Sequence, residues 1–409
     1  MTPETGMNIL VFNCGSSSLK YRLLAMPGED ELAGGEAQRV GTRTSEPSRI
    51  LYRFGKHSGV HFAEMPDHAS AFGQVLHLIE QHGCPFPGAL AHRIVHGGRR
   101  FRDHVRVDEQ VLASLEETCR LAPLHNPPQL GLVRECARRF PDLAQVLVFD
   151  TAFHSAIPAR AGTYALPASL RCDLEMAKFG FHGISHAYVA AEAARFLGIA
   201  LDRLRAVSCH LGSGGASLCA IVDGRSVDTT MGYSPLQGLV MSTRCGDLDP
   251  AVALRLLSGC EGDPNFAETL LNRRSGVLGL SGRSSDLRDL LAGKQGEDRE
   301  ALRAVHTIRC YTWRLRKYLG AYLAVVGSPH AVIFTDTLGE TVPEVRAAAC
   351  AGMDAFGLQL DAERNASSTT LPVDVATSDS PVRILALATN EELAIARTSY
   401  AIIGREARK

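Results

Sequence analysis

The sequence predicts an α/β protein built from two domains of similar plan. Three observations carry that reading. Short apolar runs of strand length alternate with longer stretches of helical spacing along the chain. One pattern, strand then short Gly/Ser turn then strand, occurs twice: "VFNCGSSSLKYRL" near the start and "SCHLGSGGASLCAI" in the middle. No short-period repeat is present, which excludes a solenoid.

The elements follow in order. "NILVF" (8–12) reads as a strand and "SLKYRLL" (18–24) as its hairpin partner. "ALAHRIV" (89–95) and "AQVLVFD" (144–150) are further buried strands. Between them, 108–122 and 128–140 carry helical spacing, the second with Pro near its start. The stretch 185–198 is a helix closing at Gly198. In the middle hairpin, "HLGSGGAS" (210–217) is the turn between two apolar runs. A longer amphipathic helix covers 307–327 and leads into the strand "AVIFTD" (331–336). "VRILALAT" (382–389) is a late strand and "NEELAIARTSYAII" (390–403) a terminal helix. The Pro/Gly/Ala-rich segment 154–167 is the linker candidate, and 291–300 reads as an exposed loop tip.

Composition narrows the function classes. The chain has 409 residues, 45% hydrophobic and 21% charged, enough for two or three domains with a sizeable core. A formal net charge of −1 provides no global field to recruit nucleic acid or an acidic membrane, so neither is expected as a partner. The start "MTPETGMNIL" lacks the pattern of a secretory signal, and no apolar stretch is long enough to span a bilayer. The 11 scattered cysteines form no C-x-x-C pair, which reads as reduced thiols in a cytoplasm.

Several motifs carry chemistry. "NCGSSSLK" (13–20) offers backbone N–H groups, three hydroxyls and Lys20, a set that binds anions, although a polar hairpin turn explains it equally well. It is not a Walker loop, because the glycine–lysine spacing is absent. "HRIVHGGRRF" sets Arg93 near a strand end, where a buried guanidinium needs an anionic partner, either a ligand or an internal carboxylate. His92/His96 and His182/His186 have i,i+4 spacing but lack the glutamate of the zinc motif, and both adjoin glycines, so zinc is not expected. "LAPLHNPPQ" is a rigid turn carrying His125. "VFDTAFH" ends a strand on Asp150, the place for a functional carboxylate in an open α/β sheet. "FGFHGISH" places His182 where an imidazole can donate to developing negative charge, with a purely structural histidine as the other reading. Arg93, Arg244 and His182 together would suit a transferring phosphoryl group. "TNEEL" (389–393) is either a capped helix start or a hard-cation site for Mg²⁺.

With these stretches in hand, the chain resembles the acetate kinase family of the sugar kinase and actin superfamily. The similarity rests on "NCGSSSLKY", "HRIVHGGRRF", "LAPLHNPPQ", "VFDTAFH", "GFHGISHAYV", "SVDTTMGYSPLQGLVMSTRCGDLDP", "SGVLGLSGRSSDLRDL", "FTDTLGETVPEVR" and "TNEELAIAR", in order from residue 8 to 397. The resemblance implies two ribonuclease-H-like domains flanking an active-site cleft: residues 1–153, completed by the terminal helix 390–409, and a nucleotide-binding and dimerisation domain, 154–389. It implies Mg²⁺-dependent, reversible phosphoryl transfer between ATP and acetate, giving acetyl phosphate and ADP, in a cytoplasmic homodimer. Arg93 and Arg244 would hold the carboxylate and the moving phosphoryl group, and His182 and Arg244 would stabilise the transition state. Asp150 would orient the arginines and the magnesium shell, and Asn13 and Glu391 would place Mg²⁺. Val95, Leu124, Phe181 and Pro235 would line the apolar pocket, where the branched Val95 favours acetate over propionate by ~1–3 kcal/mol.

On the nucleotide side, Lys20, His210, Gly212, Ser213 and Gly214 would contact phosphates. Asp286, Leu287 and Arg288 would hold the nucleoside, and Thr337, Leu338, Gly339, Glu340 and Thr341 form the late nucleotide turn. The departures from the family pattern gather there. Ser213 stands for Asn, with one extra residue before Asp228. "FTDTLGET" stands for F-T-A-G-x-G-E-N, so Asp336 and Thr337 replace Ala and Gly, and Thr341 replaces Asn. These changes leave open a different donor or a larger acid, or a relative that binds ligand with weak or no kinase activity.

Overall fold

The computed structural model describes residues 6–42, 46–259 and 262–406. Residues 1–5 of the stretch "MTPETGMNIL" and the last three residues of the expected first domain, 407–409, lie outside the described residues. The chain divides into two compact units: one runs to Ala152 and resumes at Asn390, and the other spans Phe153–Thr389.

Among the described residues, the first unit holds eight strands: β1 (Met7–Cys14), β2 (Ser18–Met26), β3 (Asp30–Gln38), β4 (Arg49–Phe54), β5 (His57–Phe62), β6 (Ala89–Ile94), β7 (Val105–Arg106) and β8 (Ala144–Phe149). They form one sheet in the order β5-β4-β3-β2-β1-β6-β8-β7. β1 pairs antiparallel with β2, with Asn13 opposite Lys20, and parallel with β6, which pairs parallel with β8. Helix His68–Gln81 starts at an Asp67 cap that accepts from Ser70 N–H and buries Phe72, Val75 and Leu78 against Leu10, Phe12 and Leu23. Helix Asn126–Arg139 begins with Pro at its first turn and ends on Arg138 and Arg139, which complement its dipole. The terminal helix Glu391–Glu406 packs on β1, β2 and β8 through Ile395 and Ala396.

The second unit repeats the plan with β9 (Ala206–Leu211), β10 (Ala216–Val222), β11 (Arg225–Thr229), β12 (Ala331–Thr335), β13 (Val373–Asp374) and β14 (Arg383–Ala386), in the order β11-β10-β9-β12-β14-β13. β9 and β10 are an antiparallel hairpin, while β9, β12 and β14 run parallel. Each unit therefore contains three antiparallel strands continued by two parallel ones, β3-β2-β1-β6-β8 and β11-β10-β9-β12-β14, the ribonuclease-H-like plan. Parallel strands are covered on both faces and read as unbroken apolar runs: every residue of β12 is buried.

Two expectations are corrected. Segment 154–167 is no open linker: His154 is buried, with Nδ1 at Ser226 Oγ (2.8 Å) and Nε2 at the Phe181 carbonyl (2.9 Å). The long helix of the second unit runs Arg299–Val326, two turns longer than its apolar spacing, because Asp298 caps it by accepting from Ala301 N–H.

Candidate functional site

In the first unit, the side chains of interest sit at the C-terminal ends of β1, β6 and β8. Parallel register sets Arg93 beside Val148, and Asp150 N–H donates to the Ile94 carbonyl (2.9 Å), so the two strand ends carry Arg93 and Asp150 side by side. Arg93 Nε lies 3.2 and 3.1 Å from the two Asp150 oxygens, and its Nη2 donates to Oδ2. Nη1 donates to Asn13 Oδ1 (2.9 Å), and Glu391 Oε2 stands 3.9 Å from Nε. Burial by itself disfavours the guanidinium charge, but the Asp150 and Glu391 carboxylates overcome it and hold the Arg93 pKa above the ordinary arginine value. Asp150 is 1% exposed, so the pair is a desolvated ion pair whose remaining donors face Asn13 and Glu391.

Asn13 Nδ2 donates to Glu391 Oε2 (3.4 Å). Glu391 opens the terminal helix, where a carboxylate also complements the helix dipole. Beside this cluster Val95 is buried, its N–H donating to Gln129 Oε1 (3.1 Å), and Gln129 in turn donates to the Cys14 carbonyl (3.0 Å). Leu124 is 52% exposed and lines no buried apolar wall within this unit, and Lys20 is exposed on β2.

The second unit assembles a histidine–serine network. His182 has left-handed backbone (φ 58°) where helix Gly183–Leu197 begins. Its Nδ1 lies 2.9 Å from Ser217 Oγ, which is also 2.8 Å from His186 Nε2; His186 Nδ1 reaches Ser208 Oγ (2.9 Å). Burial pushes His186 well below the ordinary histidine range, and burial takes His154 down to about 4, so both are neutral at pH 7. His182 stacks on His210 with ring centroids 4.1 Å apart. His210 is fixed by Ser185 Oγ at Nδ1 (2.8 Å) and by Asp336 Oδ2 at Nε2 (3.0 Å).

Arg244 comes to the same place from a loop. Nη1 donates to the Pro235 carbonyl (2.8 Å) and Nη2 to the Gly214 carbonyl (3.2 Å). Among the described residues no carboxylate pairs with it, and burial lowers its pKa from the arginine norm. The turn 212–215 has room for it only because Gly215 lacks a side chain: a Cβ there would lie 2.8 Å from Arg244 Nη2 and 3.3 Å from the His182 ring. Ser213 and Gly214 stand exposed at the tip of this turn, and Phe181 is buried behind His182.

The late turn is built around helix Asp336–Thr341. Glu340 accepts from Asp336 N–H (2.7 Å) and Thr389 N–H (2.9 Å), and burial raises its pKa. Thr341 Oγ1 donates to the Thr337 carbonyl (2.7 Å). Leu338 and Gly339 are buried, with the Gly339 carbonyl accepting from the fully buried Arg346 (2.8 Å). Asp286 caps helix Leu287–Ala292 and pairs with Arg288, whereas the Leu287 side chain is 1% exposed and belongs to the core.

The structure thus gathers Asn13, Arg93, Asp150 and Glu391 in one unit, and His182, His210, Arg244, Pro235 and the turn 212–215 in the other. Sequence reasoning missed Ser185, Ser208, Ser217 and His186 as partners, and took Asp336 only as a replacement. For Ser208 and Ser217 the signal lay in β9 and β10, where Ser and His stand among apolar residues on buried strands; Ser185 and His186 lie on helix Gly183–Leu197. Among the described residues, no group of three or more His, Cys, Asp or Glu is placed to hold a metal ion. Nor is any helix among them long and apolar enough to cross a membrane.

A part-buried arginine with carbonyl partners and, among the described residues, no acid stands against a glycine turn and an imidazole, a set of groups whose chemistry suits an anion. Comparison with known proteins makes the class specific. The Acetokinase family pattern matches residues 8–397, and the chain belongs to that family of carboxylate kinases. It is 43% identical to the acetate kinase of Alkaliphilus metalliredigens over 405 residues, covering 97% of this chain and 100% of the relative. The acetate kinase of Thermotoga maritima is 41% identical over 406 residues, covering 97% and 99%. Among solved structures, Porphyromonas gingivalis acetate kinase superposes with TM-score 0.90 at 35% identity, covering 97% and 100%. A propionate kinase from Francisella tularensis does so with TM-score 0.88 at 32% identity, covering 96% and 98%.

Proposed function

We propose that the two clusters divide the work of an acetate kinase. The reaction is reversible phosphoryl transfer between ATP and acetate, giving acetyl phosphate and ADP. Arg244 is the observation that carries the site assignment: a part-buried cation whose hydrogen-bond partners among the described residues are carbonyls is stabilised by an anionic ligand. Arg93, clamped by Asp150, presents a fixed fork to the carboxylate or the moving phosphoryl group. His182 donates to charge developing on the equatorial oxygens.

The Ser217 bridge supports a defined tautomer for that donor. His186, neutral and buried, has one proton to share between Ser208 and Ser217. If its Nε2–H donates to Ser217, the Ser217 hydroxyl proton goes to His182 Nδ1, and His182 carries its own proton on Nε2. The imidazole then donates without needing a net charge. Val95 and Phe181 supply apolar surface for the acid's methyl, with Pro235 and Leu124 the weaker members. Lys20, Gly212, Ser213, Gly214, Asp286, Arg288 and the turn 337–341 serve the nucleotide, Leu287 through its backbone.

Mg²⁺ fits the donor set at Asn13 and Glu391. Both Asp150 oxygens are engaged by Arg93, while Glu391 has only one long contact from Asn13 and one from Arg93. A cation that takes one or two protein oxygens and completes its shell with water and phosphates suits so sparse a site. When bound there, it would neutralise phosphate charge. A cytoplasmic location follows from the need for ATP. A homodimer is supported by the exposed apolar side chains Leu254, Leu302 and Trp313 in the second unit.

The test is ATP formation from acetyl phosphate and ADP with Mg²⁺. Robust turnover that Arg93→Ala and Arg244→Ala each reduce by orders of magnitude supports the assignment; normal turnover in either variant removes that residue from it. A second reading, a different phosphoryl donor, is favoured by the carboxylate of Asp336 in the nucleotide turn. A panel of donors and acids decides, and strong preference for ATP with acetate eliminates it.

A further inference from the structure

Asp336 follows β12 directly and has left-handed backbone at φ 60°, a region a side-chain-bearing residue adopts only when its surroundings hold it there. Its carboxylate is fully engaged. Oδ1 accepts from the Thr337 N–H (2.5 Å) and the Thr337 hydroxyl (2.9 Å), and Oδ2 lies 3.0 Å from His210 Nε2. A Cβ on Gly212 would come within 2.6 Å of Oδ2, so the carboxylate lies directly against the backbone of the glycine turn. Burial alone would raise its pKa, but His210 and Thr337 overcome burial and hold it well below the usual carboxylate range.

An imidazole N–H, a main-chain N–H and a hydroxyl converging beside a glycine turn are the donors that recognise a phosphate oxygen. Here an internal carboxylate satisfies them. We infer that Asp336 is a built-in anion seated among the phosphate-recognition groups of this chain, so that it competes with the polyphosphate end of the nucleotide and sets how tightly that end is held. The inference rests on the proposed phosphate role of His210. His210 cannot give Nε2–H to a phosphate and to Asp336 at full strength at once, and Ser185 already occupies Nδ1. Like charge facing the incoming phosphates adds to the competition. Asp336 is thus a specificity-determining residue for the donor side and leaves the acid side untouched.

The experiment compares the wild-type protein with Asp336→Asn and Asp336→Ala. Calorimetry measures binding of ADP and of inorganic tripolyphosphate, and kinetics separates KM for nucleotide from KM for acetate. Removing the charge should tighten both ligands about tenfold and lower KM for nucleotide, with KM for acetate unmoved. Asp336→Asn keeps the side-chain shape and an acceptor for Thr337, so it carries the test if the alanine variant does not fold. Unchanged or weaker tripolyphosphate binding in an Asp336→Asn protein that melts like wild type overturns the inference. A purely structural role would shift melting, kcat and both KM values together, which also overturns it. If wild-type protein forms no ATP from acetyl phosphate, the functional reading fails instead, and the tripolyphosphate comparison still decides the role of Asp336.

Discussion

Ser217 Oγ stands between two imidazoles, 2.9 Å from His182 Nδ1 and 2.8 Å from His186 Nε2. One hydroxyl proton therefore couples the buried, neutral His186 to His182, the histidine proposed to act in catalysis. Ser217→Ala removes the coupling with the loss of a single oxygen. Turnover should fall about 10- to 100-fold, by analogy with the loss of an orienting hydrogen bond, with KM values little changed. Steady-state kinetics against Ser217→Cys, a poorer hydrogen-bonding group at the same place, checks it. A wild-type kcat for Ser217→Ala would show that His182 needs no such support.

The Arg93–Asp150 pair makes a stability prediction as well as a kinetic one. Asp150→Ala leaves a part-buried guanidinium that keeps Asn13 and the Glu391 carboxylate as partners, so it should cost about 1–3 kcal/mol. Urea denaturation should show that loss alongside lower turnover. Arg93→Met strands the buried Asp150 carboxylate without its cation, so it should cost more stability, ~3–5 kcal/mol, while losing at least as much activity.

Gly215→Ala tests the second cluster without removing a polar group. The added methyl meets Arg244 Nη2 at 2.8 Å and the His182 ring at 3.3 Å. The flexible guanidinium yields first, so the fold should survive with a melting temperature within a few degrees. Turnover should fall at least tenfold, since an ångström of misplacement is expensive in catalysis. A fully active variant would place the reacting groups elsewhere.

Buried histidines predict acid sensitivity. Burial depresses His92 and His154 to about 4, and His186 well below its ordinary value, while unfolded histidine titrates near 6.5. The unfolded chain thus binds more protons between those values. The contribution is complete above about pH 6.5 and is lost as pH falls toward about 4, by up to ~3 kcal/mol per group. Urea midpoints measured between pH 7 and 5 should fall steadily. His92→Gln should flatten that slope; an unchanged slope would mean His92 protonates freely in the folded protein.

Glu391→Gln addresses the metal. It keeps the helix start and an oxygen acceptor but removes the negative charge beside Asn13. The Mg²⁺ concentration for half-maximal activity should rise about tenfold, with little change in melting temperature. An unaltered Mg²⁺ requirement would move the ion away from Glu391.

Much of this was legible in the residues. β1, β6, β8, β9 and β12 are apolar runs bounded by polar turns, and the repeated hairpin announced a repeated plan. Asp150 and Arg93 were legible because a charged residue ending a buried strand must have a partner or a task. The outer strands β3, β4 and β5 were not legible. "ELAGGEAQ" and "HSGVHF" lack a clear apolar/polar alternation, and they are strands because neighbours supply their hydrogen bonds. The early turns of helix Arg299–Val326 were hidden for a similar reason: a single cap residue, not apolar spacing, extends it.

What the sequence determined by itself, then, is the α/β class, the doubled hairpin and the chemical types at the site, since local spacing and the cost of burying charge act within a few residues. The tertiary structure alone decided who partners whom. Ser217 serves His182 and His186 across 35 and 31 positions of chain, and Asp336 reaches His210 from the helix start just after β12. The tertiary structure also set Leu287 inward and Leu124 outward. Hydrogen bonds and burial of this kind depend on register between strands distant in sequence, and no local pattern encodes that register.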